Sequence, residues 1–182
     1  MRIIAGQHRG LTLAEVGKGD TEAHLRPTSD RVRESLFNIL SHHGQPQGAH
    51  VLDLFAGTGA LGLEALSRGA THVTYVENGR AGQKLIRENL AKARRSQDAQ
   101  LLLANATNLP PAAKPCTLVF IDPPYGKSLG EKALSSARAQ GWLAPDALIV
   151  WEESSAVFAP QGFTLEDQRK YGGTMISLLR VS

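Results

Sequence analysis

The 182-residue chain holds a single cysteine, Cys116, which excludes a disulfide framework and a four-cysteine zinc site. Long apolar runs are missing as well. The longest, 118–121 and 147–151, are far too short to cross a bilayer. The first nine residues carry no apolar core of a secretion signal, so a cytoplasmic location without a membrane partner is expected. Neither sign of charge dominates. Twenty Lys and Arg against 17 Asp and Glu leave a formal charge of +3, which permits a nucleic-acid partner without requiring one. The six histidines are scattered and suggest no metal site. What is present is an ordinary globular composition, 42% hydrophobic and 20% charged, in a length suited to one domain with a small appendage.

Along the chain, Ile3-Ile4-Ala5 and Leu11-Thr12-Leu13 read as short strands, and 17–22 as a polar loop. A helix follows, with Val32, Leu36, Phe37, Ile39 and Leu40 on one face and Thr28, Ser29 or Asp30 available as its cap. From residue 50 the pattern alternates strictly: strands at 51–55, 72–76, 100–103, 117–121 and 147–151, helices at 60–68, 80–95 and 131–140. Such alternation predicts an α/β fold with a parallel sheet covered on both faces. The tail departs from it. Residues 163–170, a Tyr171-Gly172-Gly173 turn and 175–181 read as an antiparallel hairpin.

Gly57-Thr58-Gly59-Ala60-Leu61-Gly62 satisfies G-x-G-x-x-G between a strand and a helix. Glycines there let the backbone pass close to a ligand, and the helix start offers unpaired N–H groups. Glu77 ends the next strand, 20 positions after Gly57, where a carboxylate can accept both hydroxyls of a ribose. These features alone fit NAD and S-adenosylmethionine equally. The preceding Asp53-Leu54-Phe55-Ala56-Gly57-Thr58-Gly59 resembles the cofactor loop of class I S-adenosylmethionine-dependent methyltransferases. The resemblance implies a Rossmann-like, doubly wound and mostly parallel sheet. It also implies a cofactor site of Asp53, Phe55, Ala56, Gly57, Gly59 and Glu77, with Asp53 holding the loop or reaching the methionine amine through water. After strand three the family places an acceptor for the adenine amine. Here Asn105-Ala106 stand at that position, and the Asn105 carbonyl can accept without charge.

Asp122-Pro123-Pro124-Tyr125 follows the apolar run 118–121 directly. In an open parallel sheet ligands bind at the carboxyl ends of the strands, so this tetrapeptide should face the site. Two prolines remove two N–H donors and fix φ, leaving rigid carbonyl acceptors. The Asp122 side chain and the Pro123 carbonyl can take both hydrogens of a planar NH2 group. Tyr125 offers a face for a stacked base, worth ~1–3 kcal/mol. The tetrapeptide resembles the D/N/S-PP-Y/F/W motif of methyltransferases acting on exocyclic base amines. That resemblance makes Asp122, Pro123, Pro124 and Tyr125 catalytic: they hold and polarise an amine whose lone pair is otherwise delocalised into the ring. An NAD-dependent oxidoreductase would share the glycine loop but gives the tetrapeptide no role. A non-catalytic ribosome-assembly module would not need the loop, the acidic strand end and the tetrapeptide intact.

Arg26-Pro27-Thr28-Ser29-Asp30-Arg31-Val32-Arg33-Glu34-Ser35-Leu36-Phe37-Asn38, with Arg2-Ile3-Ile4-Ala5-Gly6, Arg9-Gly10 and Tyr171-Gly172-Gly173-Thr174, resembles the RsmD family of 16S ribosomal RNA guanine-N2 methyltransferases over essentially the whole chain. The resemblance implies methyl transfer from S-adenosylmethionine to a guanine N2 amine. The expected partner is 16S rRNA or the small ribosomal subunit particle, met by a monomer. It divides the chain into an amino-terminal extension, 1–45, that helps bind RNA, and a methyltransferase domain, 46–182. Arg26, Thr28, Arg31 and Arg33 are the expected RNA contacts, the arginines reaching phosphates or the cofactor carboxylate from a helix start. The basic residues of 80–95 read instead as a solvated face, on a helix expected to pack away from the catalytic edge. Cys116 reads as a small buried residue.

Overall fold

The computed structural model describes residues 1–17 and 28–182; Arg26 and residues 18–22 of the expected polar loop lie outside the described residues. Seven strands form one sheet: β1 (His50–Leu54), β2 (His72–Val76), β3 (Ala99–Leu102), β4 (Cys116–Ile121), β5 (Leu143–Glu153), β6 (Phe163–Tyr171) and β7 (Thr174–Val181). Their order is β3-β2-β1-β4-β5-β7-β6. The first five pair in parallel, while β7 runs antiparallel to both β5 and β6. This is the Rossmann-like, mostly parallel sheet with an antiparallel end that the sequence predicts. Strand order reverses between β1 and β4, and that switch point opens a crevice at the carboxyl ends of both strands.

The helices are α1 (Asp30–His42), α2 (Ala60–Ser67), α3 (Arg80–Ala93) and α4 (Leu129–Ala139). Alternation along each strand sends side chains to two separate cores. Val51, Val73, Tyr75, Phe120 and Val150 pack with α1, α2 and α3, whereas Leu52, Val119, Ile121, Ile149 and Trp151 pack with α4. Ser29 caps α1, its hydroxyl accepting from the Val32 N–H at 3.3 Å. On α3 the inward residues are Leu85, Ile86, Asn89 and Leu90; Ala81, expected inward, lies at the cavity described below. β5 runs from Leu143 to Glu153, well beyond the expected 147–151. Its first half pairs Leu143 with Cys116 before the register shifts, and Asp146 sits at φ +59° in that irregular stretch.

The amino-terminal segment has no core of its own. Ile3 and Leu13 join Leu36, Phe37 and Leu40 in the sheet's first core. A short antiparallel turn bridges Arg2 to Thr12, with the Ile3 N–H donating to the Leu11 carbonyl at 2.9 Å. Two buried polar side chains pin the segment down. Glu64 on α2 accepts from the Ile4 and Ala5 N–H groups (2.9 and 3.1 Å), and Asn89 on α3 exchanges bonds with the backbone of Ala14 (2.7 and 3.2 Å). A buried carboxylate needs its donors. Glu64 finds four, the other two being Arg68 Nε at 2.8 Å and Arg33 at 3.4 Å.

Candidate active site

β1 hands over to α2 through a turn that only part of the residue alphabet can make. Phe55 and Gly57 take φ +58°, and Gly59 takes +79° at the start of α2. A Cβ on Gly62 would stand 2.5 Å from the Tyr75 ring, so that glycine lets the helix lie directly on the sheet. Asp53, buried at the end of β1, accepts from the Gly62 N–H at 3.1 Å. Burial pushes its carboxyl well above the usual range; the Gly62 bond opposes this, and repulsion from Glu77 and Glu152 adds to it. Of the two roles expected for Asp53, the structure displays the first: it fastens the loop to the helix.

Glu77 follows β2 and reaches back across the turn. One oxygen accepts from the Gly57 N–H at 2.8 Å and the other from the Gly79 N–H at 2.9 Å. A carboxylate has about four lone-pair sites, so two remain for a ligand. Beyond β4, the tetrapeptide stands on the opposite wall of the same crevice. The loop after it is braced from β5, where Glu153 accepts from the Gly126 N–H at 3.1 Å. The Tyr125 hydroxyl lies 3.2 Å from the Thr174 hydroxyl, at the hairpin between β6 and β7. That tie gives the hairpin a part in the site. It also gives the hydroxyl a positioning role that the sequence reading did not assign.

These walls enclose one cavity of about 830 Å³. Asp53, Phe55, Ala56, Gly57, Glu77, Asn105 and Ala106 line it together with Asp122, Pro123, Pro124 and Tyr125. The two sets expected to hold cofactor and acceptor therefore share one space, although they lie about the switch point on different strands. Gly59 stands just behind, shaping the turn. Among the described residues no group of three His, Cys, Asp or Glu gathers as a metal site, and no helix is long and apolar enough to cross a membrane. Burial pushes the Cys116 thiol up to about 12, in keeping with an inert core residue.

Four expectations change. Arg33 is fully buried at the cavity wall and bonds Asp30, the Arg2 carbonyl (2.8 Å) and Glu64, which makes it a structural cation rather than an exposed phosphate contact. Thr28 turns its hydroxyl toward Glu152, 3.3 and 3.4 Å from the carboxyl oxygens, rather than outward to RNA. The Asn105 side-chain oxygen already accepts from the Thr107 N–H (2.9 Å) and hydroxyl (2.8 Å), so an adenine amine would have to compete for it. Finally, α3 does not pack wholly away from the catalytic edge, because Arg80 and Lys84 on its first turns reach the cavity mouth. Arg31 is exposed, as expected of a phosphate contact. Sequence reasoning missed Glu152, which is 3% exposed and follows Trp151, the register partner of Ile121, so that it stands beside Asp122. Its signal was available: Trp151-Glu152-Glu153 places two carboxylates at the end of a buried strand.

A family model described as "conserved hypothetical protein 95" matches residues 1–180. Ribosomal RNA small subunit methyltransferase D of Escherichia coli (strain K12) is 39% identical over 176 residues, spanning 94% of this chain and 85% of that protein. The protein of the same name from Haemophilus influenzae is 36% identical over 179 residues, spanning 94% and 89%. The solved structure of the Escherichia coli protein yhhF, described as a candidate methyltransferase, superposes with a TM-score of 0.84 at 37% identity, covering 100% of this chain and 97% of that one.

Proposed function

The chain belongs to the family of ribosomal RNA small subunit methyltransferase D, and from that premise we propose that it methylates the N2 amine of a guanine in small-subunit (16S) ribosomal RNA, with S-adenosylmethionine as methyl donor. One observation carries this reading. Asp122-Pro123-Pro124-Tyr125 and Glu77 with its glycine turn face a single cavity. The donor set fits that cofactor: Glu77 keeps two acceptor sites for a ribose diol, and the 57–59 turn presents backbone rather than side chains. When bound, the cofactor supplies an electrophilic sulfonium methyl group.

The protein's own part is positioning. Asp122 and the Pro123 carbonyl accept the two amine hydrogens, which draws the nitrogen lone pair out of conjugation and aims it along one line. Tyr125 stacks on the base and is held there by Thr174. Orientation and fixed dipoles of this kind account for most of such a rate enhancement. Exposed Arg31, with Arg80, Lys84 and Lys127 at the cavity, has no ion pair among the described residues, and these four cations meet RNA phosphates. All these groups come from one chain, which supports a monomer, acting in the cytoplasm on naked 16S rRNA or on the assembled small subunit.

The test compares tritium transfer from labelled S-adenosylmethionine into small-subunit particles, naked rRNA and duplex DNA. Labelling of RNA or particles, falling steeply with added salt, is the expected result; preferential labelling of DNA would reverse the proposal.

A further inference from the structure

Four acidic side chains stand at the carboxyl ends of three adjacent strands. β1 carries Asp53, β4 leads into Asp122, and β5 ends in Glu152 and Glu153. The parallel register aligns Phe120 with Val150 and Ile121 with Trp151. The next pair along, Asp122 and Glu152, therefore falls side by side on the face that holds Phe120 and Val150. Glu152 is buried, and two carboxyls this close disfavour each other's charge, so the pair is pushed toward keeping a proton.

The surroundings reinforce this. Asp53 stands on the same face from β1, and Glu153, next along β5, adds a like charge nearby. Thr28, leading into α1, donates its hydroxyl to Glu152. The nearby cation Arg33 is committed to Glu64 and Asp30. Lys127 lines the cavity without bonding either carboxyl.

We propose that Glu152 is a positioning residue for methyl transfer: it holds the Asp122 carboxyl in the orientation the acceptor amine needs, and the two carboxyls together take up the proton the amine releases. The proposal rests on the reading of Asp122 as the group facing that amine. In the step itself, the nitrogen lone pair forms the new bond to the methyl carbon, and the bond from that carbon to sulfur breaks with its electrons left on sulfur. The nitrogen then carries a positive charge and two hydrogens. One passes as a proton to Asp122, so the pair goes from one proton and one negative charge to two protons and none. Water removes the extra proton after the product leaves. Burial pushes Glu152 up to about 7 and, with repulsion from Glu152, Asp53 and Glu153, holds Asp122 well above the usual range. Below about pH 7 the pair already holds two protons and cannot accept a third.

The experiment is a single-turnover pH profile on rRNA for wild type, Glu152→Gln, Thr28→Val and Asp122→Ala, with S-adenosylhomocysteine affinity measured alongside. Wild type should lose activity as pH falls through about 7. Glu152→Gln keeps the shape beside Asp122 but cannot hold the proton; its rate should drop about 100-fold, its acid limb should move down by at least one pH unit, and its affinity for S-adenosylhomocysteine should stay within twofold. Thr28→Val removes the donor that favours ionised Glu152, so its acid limb should move up; this variant keeps the test open should Glu152→Gln fold poorly. A wild-type rate and limb in Glu152→Gln, with Asp122→Ala inactive, overturns the role of Glu152 and leaves the site reading standing. An unmoved limb in Thr28→Val likewise overturns it. Full activity in Asp122→Ala overturns the site reading instead.

Discussion

Replacing Glu77 with alanine should weaken cofactor binding by about two orders of magnitude. The carboxylate spends one lone pair on the Gly57 N–H at 2.8 Å and one on the Gly79 N–H at 2.9 Å. Its two remaining sites match the two hydroxyls of a ribose, giving four bonds to one charged group. Hydrogen bonds to a charged partner contribute ~1.5–3 kcal/mol each, so the ligand stands to lose roughly 3–6 kcal/mol. Water can solvate the freed hydroxyls and the two backbone N–H groups in the variant, which favours the lower figure. At ~1.4 kcal/mol per tenfold, 3 kcal/mol is about 100-fold in Kd. Glu77→Gln keeps the shape but turns an NH2 toward one of the two backbone donors, so its loss should be intermediate, about tenfold. Calorimetry with S-adenosylhomocysteine measures both, with thermal unfolding as the check that each variant is folded. A folded Glu77→Ala protein that binds within threefold of wild type would refute the assignment of this carboxylate to the ribose.

Tyr125→Ala should lose stacking worth ~1–3 kcal/mol, roughly tenfold to hundredfold in kcat/KM. Tyr125→Phe keeps the ring but loses the tie to Thr174, a bond of ~0.5–1.5 kcal/mol, so steady-state kinetics should show a severalfold loss matched by Thr174→Val and not deepened in the double variant. Glu64→Ala leaves buried Arg33 only Asp30 and the Arg2 carbonyl as partners and should cost ~3–5 kcal/mol, lowering Tm by roughly 10 °C in a chain of this size; amide exchange at Ile4 and Ala5 should accelerate with it. The raised Glu152 carboxyl means that the folded state binds more protons than the unfolded one, so stability should fall as pH rises from the ordinary value of 4.5 through about 7. Asp53 and Asp122 are raised as well, so denaturant unfolding at pH 5 and pH 8 should show that slope in wild type and a shallower one in Glu152→Gln.

Much of the site was legible because its parts are local in sequence. The glycine turn, Glu77 and the tetrapeptide each follow an apolar run, and strand alternation alone carries them to one edge of the sheet. What escaped the sequence were pairings set by register. Nothing local to Glu152 says that Asp122 stands beside it; that depends on Ile121 meeting Trp151 across two parallel strands. Pro145 and Asp146 interrupt the β pattern, so the pattern starts this strand at 147 although its earlier part already pairs with Cys116. Arg33 looked like its neighbour Arg31 in a basic signature, but helical periodicity puts it on the buried face, opposite a carboxylate on α2 that is 31 residues away in sequence. Burial of a charge by a distant partner leaves no local trace. The basic face of α3 was misjudged for a similar reason: its first turns begin at the carboxyl edge of the sheet, so Arg80 and Lys84 reach the cavity mouth while later residues on the helix do not.

The most direct measurement is nucleoside mass spectrometry of small-subunit rRNA, lacking the modification beforehand, after incubation with the protein and S-adenosylmethionine. The account predicts N2-methylguanosine at a single guanine with wild-type protein and none with Asp122→Ala, whose cofactor affinity stays near wild type because Asp122 faces the acceptor amine. N6-methyladenosine, methylation away from an exocyclic amine, or undiminished N2-methylguanosine from Asp122→Ala would contradict it.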